Sequence, residues 1–391
     1  RIATSLRDDD DVLGRYLLLT GLEHELGASL DEAAQQAGLD RDLVRRLWVA
    51  SGNREDAELF PEDVQSLRGI GVALAAGLPE EALVQVARVF GDALGRVADA
   101  EVRLFHFYVH EAMRREGMTG ADLSDATTAS ATTLAELLEP TVLYYHQHAL
   151  ERAMQEDILL HLAEEVEPDS DATGQMSVAV LFVDLAGFTS LTDVMGDAAA
   201  AAVLDRFSDL VRETVSRSNG RVIKQIGDEF MLVFPQAAEA VRVGLDLCRR
   251  VAAEHEFPGV RLGAHAGPAL YREADYLGST INVAARVTAA ADRGQFLATE
   301  ALRDLAGGDA GQPWRALGPV ELKGLAQPVT VYEVTGALPD RARDPVCGME
   351  LVPGAATVRV QGAGRDIEFC SEDCKERFLA DPDRYPATQR G

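Results

Sequence analysis

The order of apolar and polar positions divides the chain into a helical part and a mixed part. Over residues 1–165 the apolar residues recur at helical spacing, and we expect only helices there. Over residues 176–337 short apolar runs alternate with helical patterns in the order βαββαβ, followed by a further αβ extension. This order is typical of a ferredoxin-like domain, so the sequence predicts an α+β protein with an all-helical N-terminal domain.

Polar stretches separate the predicted domains. An acidic segment with Pro and Gly, residues 166–175, predicts a linker. A second stretch, rich in Pro and Arg, precedes a small tail module that we expect over residues 344–386. The tail holds three of the four cysteines, and four are too few for a disulfide scaffold.

The N-terminal domain starts with a helix-turn-helix pattern in residues 30–48. Asp31 and Asp40 stand where the N-caps of the two helices are expected. The formal net charge of the chain is -27, which repels nucleic acid. We therefore expect a structural helical module and no nucleic-acid partner.

Histidines are concentrated in the rest of this domain. Five of the eight lie between residues 106 and 161, so protonation sensing is one hypothesis. His106 and His110 share a helix face, but no third metal ligand is evident beside them. No apolar run reaches the roughly 18 residues needed to span a bilayer, and no signal peptide stands at the start. We expect a cytoplasmic protein without a membrane span.

Two carboxylates are expected to meet at the ends of neighbouring strands. Asp184 ends an apolar strand, residues 177–183, and Asp228 follows Gly227 in the turn of a predicted hairpin. In a ferredoxin-like sheet this strand and the hairpin are neighbours. Such a pair of aspartates can hold two Mg²⁺ ions, which phosphoryl and nucleotidyl transfer require.

A second set of polar residues points to a nucleotide. Asn282 and Arg286 are four residues apart on a predicted helix and share one face. Asn can hold a ribose oxygen, and Arg can stabilise the charge that develops on a phosphate. Asp275 lies seven residues before Asn282, in an expected loop.

Three segments make residues 176–335 resemble a class III nucleotide cyclase catalytic domain. They are Phe182-Val183-Asp184-Leu185-Ala186-Gly187-Phe188-Thr189, Lys224-Gln225-Ile226-Gly227-Asp228-Glu229 and Asp275-Tyr276-Leu277-Gly278-Ser279-Thr280-Ile281-Asn282-Val283-Ala284-Ala285-Arg286. The resemblance implies that Asp184 and Asp228 hold two Mg²⁺ or Mn²⁺ ions per site. It also implies that Lys224 and Asp275 bind the purine, and that this pair suits adenine.

The resemblance implies a catalytic role for two further residues and a substrate contact for a third. Asn282 would orient the ribose, and Arg286 would stabilise the transition state. Lys323, within Glu321-Leu322-Lys323-Gly324, resembles the lysine that contacts the triphosphate in this family. The implied reaction converts ATP into 3′,5′-cyclic AMP and pyrophosphate at the interface of a homodimer, because the family takes the metal aspartates from one protomer and the other residues from its partner.

Two alternatives stay open at the level of the sequence. One is a sensor or binding protein that uses an inactive cyclase domain as a dimerisation platform. The other is a diguanylate cyclase, although Ile226 stands where that family has a glycine. The filled set of six family positions favours the adenylate cyclase.

The two flanking parts also resemble known modules. Residues 1–165 resemble the regulatory domain of autoinhibited bacterial cyclases that respond to pH, which implies a proton or a fatty acid as regulator. The tail closely resembles a YHS domain, a module proposed to bind metals, in Asp344-Pro345-Val346-Cys347-Gly348-Met349 and Phe369-Cys370-Ser371-Glu372-Asp373-Cys374. Cys347, Cys370 and Cys374 would supply three thiolates for an additional metal. A fourth ligand is not evident, and a metal-free accessory domain is the alternative.

Overall fold

The chain folds into two compact units, Arg1–Pro168 and Asp169–Gly391. The computed structural model describes residues 27–164, 175–254, 257–308, 314–335, 344–351, 358–361 and 366–385. The predicted linker, except for its last residue, and the Pro- and Arg-rich junction lie outside these ranges. No helix within them is long and apolar enough to cross a membrane.

The described part of the N-terminal unit is helical, as its apolar spacing predicts, apart from one isolated β-bridge between Ala28 and Leu59. Its helices are α1 (Leu30–Ala37), α2 (Arg41–Ala50), α3 (Pro61–Ala75), α4 (Glu80–Phe105), α5 (Glu111–Arg115) and α6 (Gly120–Glu164). The first three enclose a core that includes Leu43, Val44 and Leu47. The helix-turn-helix pattern therefore forms a packed helical module.

One predicted helix cap is wrong. Asp40 caps α2, because its carboxylate accepts hydrogen bonds from the backbone N–H groups of Asp42 and Leu43. Ser29, rather than Asp31, caps α1. The Glu32 carboxylate accepts a hydrogen bond from the Ser29 N–H at 2.8 Å and so completes a reciprocal cap. Asp31 lies inside the first turn, where its charge still favours the helix N-terminus.

A π-helical turn, His106–His110, joins α4 to α5 where the sequence predicts an ordinary helix. The wider turn brings the rings of His106 and His110 into a stack, with 5.5 Å between their centroids. Such turns are rare and often occur at functional sites. The two histidines therefore share one local environment.

The second unit is built on a mixed sheet. Its strands are β1 (Gln175–Leu185), β2 (Arg221–Ile226), β3 (Glu229–Phe234), β4 (Phe257–Pro258), β5 (Val260–Arg272), β6 (Asp275–Leu277), β7 (Phe296–Thr299), β8 (Trp314–Val320), β9 (Val329–Val334), β10 (Met349–Glu350), β11 (Val358–Gln361) and β12 (Asp366–Phe369). The main sheet has the order β2-β3-β1-β5-β7-β9-β8, with β6 paired to β5. Among the strands that the structure describes, β5 and β7 form the one parallel pair. The central position of β1 explains why its sequence is almost continuously apolar.

Helices cover both faces of this sheet. They are α7 (Phe188–Met195), α8 (Asp197–Val215), α9 (Ala237–Ala253), α10 (Ser279–Ala290), α11 (Glu300–Leu305) and, in the tail, α12 (Glu372–Ala380). Alternate residues of β1 enter two different cores: Leu181 and Val183 pack with residues of α8 and α9, whereas Val180 and Phe182 pack with Ala284 of α10. The ferredoxin-like arrangement predicted from the sequence is confirmed.

The tail shares the core of the sheet unit. β10 pairs with β4 in an antiparallel register, Met349 opposite Pro258. Phe369, Cys374 and Phe378 belong to the same hydrophobic cluster as the β1 side chains. The tail is thus packed against the segment that follows α9.

Candidate active site

The first polar cluster lies where β1 ends beside the β2–β3 hairpin. β1 and β3 are antiparallel neighbours, and Asp184 stands opposite Glu229, the residue that follows Asp228. Gly227 and Asp228 form the two-residue turn of the hairpin, since Ile226 pairs directly with Glu229. The predicted proximity of Asp184 and Asp228 is confirmed by this register.

Asp184 is a buried carboxylate, with 6% of the residue exposed. Burial raises its pKa to about 6, and the neighbouring Asp228 adds to the rise, while a hydrogen bond from Arg261 opposes it. Arg261 lies opposite Asp184 on β5 and donates through Nε to Asp184 Oδ2. Burial and the charge of Asp184 also raise the pKa of Glu229. The positive charge of Arg261 therefore acts on two of these carboxylates, Asp184 and Glu229.

This donor set fits a divalent cation. Carboxylate oxygens are the ligands that Mg²⁺ and Mn²⁺ prefer, and a buried carboxylate beside two partly exposed ones gains from a cation. Arg261 and Glu229 were not among the predicted site residues. The signal was weak: Arg261 is a charged residue inside a mostly apolar strand, and only the strand register shows which carboxylate it meets.

The second cluster joins Lys224 to Asp275. The Lys224 ammonium donates to Asp275 Oδ2, and the Tyr276 N–H donates to Asp275 Oδ1 at 2.8 Å. Both side chains are about one-third exposed, at 35% and 32%. Asp275 does not lie in a loop as expected, but begins β6, which pairs with the end of β5.

Irregular backbone places both partners of this pair. The register of β2 shifts between Val222 and Lys224, so a bulge reorients the lysine. The turn between β5 and β6 holds Glu273 and Ala274 at φ values of +53° and +60°. Left-handed backbone at residues other than glycine is strained and is common at functional sites.

Asn282 and Arg286 lie on the outer face of α10. Ala284 and Val287, on the inner face, are buried, whereas Asn282 and Arg286 are exposed. In the described part of the chain, no hydrogen bond or ion pair joins these two side chains to the first or second cluster. Lys323 is also exposed, in the turn after β8. Among the described residues, no hydrogen bond or ion pair joins its ammonium group to either cluster.

The three tail cysteines form a third cluster. Cys347 Sγ lies 3.5 Å from Cys370 Sγ, which lies 3.7 Å from Cys374 Sγ. Bonds of about 2.3 Å from zinc to sulfur in a tetrahedron place the sulfur atoms roughly 3.8 Å apart. The spacing of these thiols therefore fits a metal better than a disulfide, and all are free thiols.

Asp344 supplies the fourth donor that the sequence did not reveal. One of its carboxylate oxygens and the three sulfur atoms lie within 4.8 Å of one another, and the residue is 1% exposed. Its carboxylate accepts hydrogen bonds from the N–H groups of Val346 and Cys370, at 2.8 and 2.7 Å. The available signal was an Asp three residues before Cys347, where an aspartate can bond to the backbone that follows it.

Electrostatics inside the tail cluster favour one thiolate. Hydrogen bonds from Cys347 and Cys370 lower the pKa of Cys374, whereas the bond between Cys370 and Cys347 raises the pKa of Cys370. Burial raises the pKa of Asp344. A metal with a preference for sulfur would relieve the crowding of these groups.

Comparison with known proteins supports the three resemblances. Family models described as "Adenylate and Guanylate cyclase catalytic domain", "YHS domain" and "Adenylate cyclase regulatory domain" match residues 171–336, 342–389 and 10–154, respectively. A pH-sensitive adenylate cyclase of Mycobacterium tuberculosis is 30% identical over 333 residues, which cover 81% of each chain. An adenylate cyclase of Streptomyces coelicolor is 28% identical over 279 residues, which cover 70% of each chain. The crystal structure of the adenylyl cyclase CyaB from P. aeruginosa matches 42% of this chain and 97% of its own, at 22% identity and a TM-score of 0.38.

Proposed function

The chain belongs to the class III adenylate cyclases, and from that premise we propose that it converts ATP into 3′,5′-cyclic AMP and pyrophosphate at sites shared by two copies of the chain. The observation that carries the proposal is the contact between Lys224 and Asp275. These side chains come from segments 51 residues apart and form a donor and acceptor pair. Adenine offers the complement, because its ring nitrogen accepts a hydrogen bond and its exocyclic amine donates one.

Asp184 and Asp228 are the proposed metal ligands. Two Mg²⁺ or Mn²⁺ ions held there would lower the pKa of the ribose 3′-hydroxyl and neutralise the triphosphate. Arg261 holds one oxygen of the Asp184 carboxylate, which fixes the orientation of the other oxygen. The chain itself thus prepares the position of its most buried ligand.

The remaining proposed residues act on the sugar and the phosphates. Asn282 would hold the ribose, and Arg286 would meet the negative charge that builds on the α-phosphate in the transition state. Lys323 would contact the triphosphate. The exposure of Asn282 and Arg286 on α10 supports a role at an interface, where a second copy would bring its aspartates to them.

The N-terminal unit also supports homodimerisation. Its helices α4 and α6 expose many large apolar side chains. These include Phe90, Leu94, Val97, Leu104, Leu137, Leu143, Tyr144, Leu150 and Met154. So much exposed apolar surface is unusual for a monomer. A second copy would cover it and would also complete the catalytic sites.

A direct assay tests the proposed reaction. The purified chain is incubated with Mn²⁺ and either ATP or GTP, and cyclic nucleotide is quantified by chromatography. We expect cyclic AMP from ATP and much less cyclic GMP from GTP. If neither nucleotide is cyclised, the enzyme proposal is wrong and the chain uses its cyclase domain for dimerisation alone.

We further propose that the helical unit regulates the reaction through protonation, with a fatty acid as the alternative regulator. Support comes from the stacked pair of His106 and His110 in the π-helical turn, where His110 Nδ1 lies 3.3 Å from Thr127 Oγ1. Two adjacent imidazolium charges would repel each other. The variant with His106→Gln and His110→Gln should therefore show a flatter activity profile between pH 5.5 and 8, which a pH series of initial rates measures. An unchanged dependence of activity on pH would mean that residues other than His106 and His110 sense pH.

The tail and the location complete the proposal. Cys347, Cys370, Cys374 and Asp344 would bind an additional metal, for which zinc is the best fit to three thiolates and one carboxylate. A cytoplasmic location agrees with ATP as the substrate and with four free cysteines.

A further inference from the structure

Arg293 lies between the catalytic strand and the tail. Its guanidinium donates through Nη2 to the backbone oxygen of Ala186, two residues after Asp184. The same group fills the space beside two glycines. A Cβ atom on Gly187 would lie 2.5 Å from Nη2, and one on Gly348 would lie 2.6 Å from Nη2 and 3.0 Å from Nη1.

Both glycines are required by backbone as well as by space. Gly187 has φ +82° and Gly348 has φ +76°, values that other residues rarely adopt. Gly187 belongs to the turn after Asp184, and Gly348 directly follows Cys347. The side chain of Arg293 therefore lies between the turn that follows Asp184 and the loop that carries Cys347.

Two further contacts follow the same route. β10, which starts one residue after Gly348, pairs with β4, and the next residue after β4, Gly259, accepts a hydrogen bond from the Ala186 N–H at 2.8 Å. On the tail helix α12, Arg377 donates to the backbone oxygen of Val194 in α7 at 3.0 Å. The cysteine helix thus contacts α7 directly, and the cysteine loop is connected to the segment after Asp184 through Arg293 and through β4.

We propose that Arg293 is a positioning residue for the catalytic metal site, and that the metal-bound tail holds Arg293 in place, so that tail occupancy strengthens Mn²⁺ binding at Asp184. This inference rests on the proposed cyclase function and on the proposed tail site. A metal bound by Cys347 stiffens the loop that carries Gly348, which removes alternative positions for the guanidinium. Arg293 then keeps its hydrogen bond to the Ala186 carbonyl, and this bond fixes the turn that orients Asp184.

The coupling is reciprocal. If tail metal strengthens Mn²⁺ binding at Asp184, then Mn²⁺ in the active site must strengthen metal binding in the tail by the same factor. A purely structural tail has no such property. Reciprocity therefore separates a regulatory tail from an inert one.

The experiment measures Mn²⁺ affinity of the full chain directly, by electron paramagnetic resonance of free Mn²⁺ without nucleotide. An Asp228→Asn variant identifies the binding that belongs to the active site. We expect Arg293→Ala and Gly348→Ala to weaken this affinity by about tenfold, a usual effect of losing a group that orients a ligand. The Mn²⁺ affinity of Arg293→Lys should lie between that of Arg293→Ala and that of the wild type, because lysine keeps the positive charge but lacks the forked donor of the guanidinium.

Matched controls separate this effect from general damage. Gly307→Ala puts the same substitution at φ +94° with nothing within 4 Å of the new Cβ. Arg359→Ala removes an arginine that pairs with Glu368 inside the tail. Both controls should keep the wild-type Mn²⁺ affinity. The Cys374→Ser variant should lose tail metal and show the same weakening as Gly348→Ala.

The outcomes are decisive in both directions. Mn²⁺ affinities within twofold of wild type for Gly348→Ala, Arg293→Lys and Cys374→Ser would overturn the inference, whether or not Arg293→Ala folds. At saturating Mn²⁺, the KM of Gly348→Ala for ATP should equal that of the wild type. A changed KM would indicate a general distortion of the active site and would also contradict the inference. Absence of cyclic AMP from the wild type would reject the proposed function, but the Mn²⁺ titration would still decide the coupling.

Discussion

Lys224 on β2 donates a hydrogen bond to Asp275 at the start of β6, although 51 residues separate them along the chain. A bulge directs the lysine, and a strained turn precedes the aspartate. Neither side chain is buried, so packing alone does not require the pair. Its geometry is understandable if both residues serve one ligand that offers an acceptor and a donor side by side.

Changing this pair should change the base that the enzyme accepts. Lys224→Glu with Asp275→Cys presents an acceptor where adenine needs a donor, so we expect kcat/KM for ATP to fall by about 100-fold or more. Initial rates with ATP and GTP measure the change. Lys224→Glu alone should melt at a lower temperature than the double variant, because it places two carboxylates together.

The control for this experiment is Arg242→Glu, which creates a like-charge pair with Glu239 on the surface of α9. It should leave ATP turnover unchanged. Undiminished ATP turnover in the double variant would show that other residues select the purine.

Two inactive variants should restore activity when they share a dimer. One carries Asp184→Asn with Asp228→Asn, and the other carries Asn282→Ala with Arg286→Ala. A heterodimer purified through two different tags has one intact site of two, so about half of the wild-type rate is expected. Each variant purified as a homodimer should stay inactive. An inactive heterodimer of confirmed composition would place both residue sets in the site of a single chain.

Asp184→Asn should stabilise the metal-free protein at neutral pH. The folded-state pKa of about 6 lies above the ordinary value of 3.8, so folding binds a proton between these values, and stability falls as pH rises through this window. Asn at this position does not ionise, so the variant avoids this decrease in the free energy of unfolding, which amounts to up to roughly 3 kcal/mol.

Urea unfolding in the presence of a chelator measures the difference. The free energy of unfolding of Asp184→Asn should exceed that of the wild type at pH 7.5, and the difference should disappear near pH 4. Added Mn²⁺ should stabilise the wild type and not the variant. An advantage independent of pH would assign the effect to packing.

The tail cluster should bind one metal per chain. We expect Cys374→Ser to abolish stoichiometric zinc, measured by elemental analysis, and Asp344→Asn to weaken binding by about tenfold. Substituted Co²⁺ should show intense thiolate charge-transfer bands that both variants alter. Cys248→Ala, which changes a buried cysteine of α9, is the matched control and should keep the metal. Full zinc content in Cys374→Ser would exclude this site.

Local sequence patterns determined the order of the elements and the motif residues. Apolar periodicity depends on near neighbours, so β1, the β2–β3 hairpin and α10 could be predicted close to their observed bounds. Asp184, Asp228, Asn282 and Arg286 could be chosen from their positions on the predicted elements, and the resemblance to the cyclase family added Lys224 and Asp275. Their roles remain predictions that the experiments above test.

Only the tertiary structure decided which side chains meet. Arg261 faces Asp184 because β5 pairs with β1 in one register, and a shift of one residue would turn it to the other face of the sheet. Asp344 joins the cysteines, and Arg293 joins Ala186 to the tail, through contacts between segments distant in sequence. Such contacts depend on strand pairing and core packing over the whole unit, and no periodicity within a short window records them.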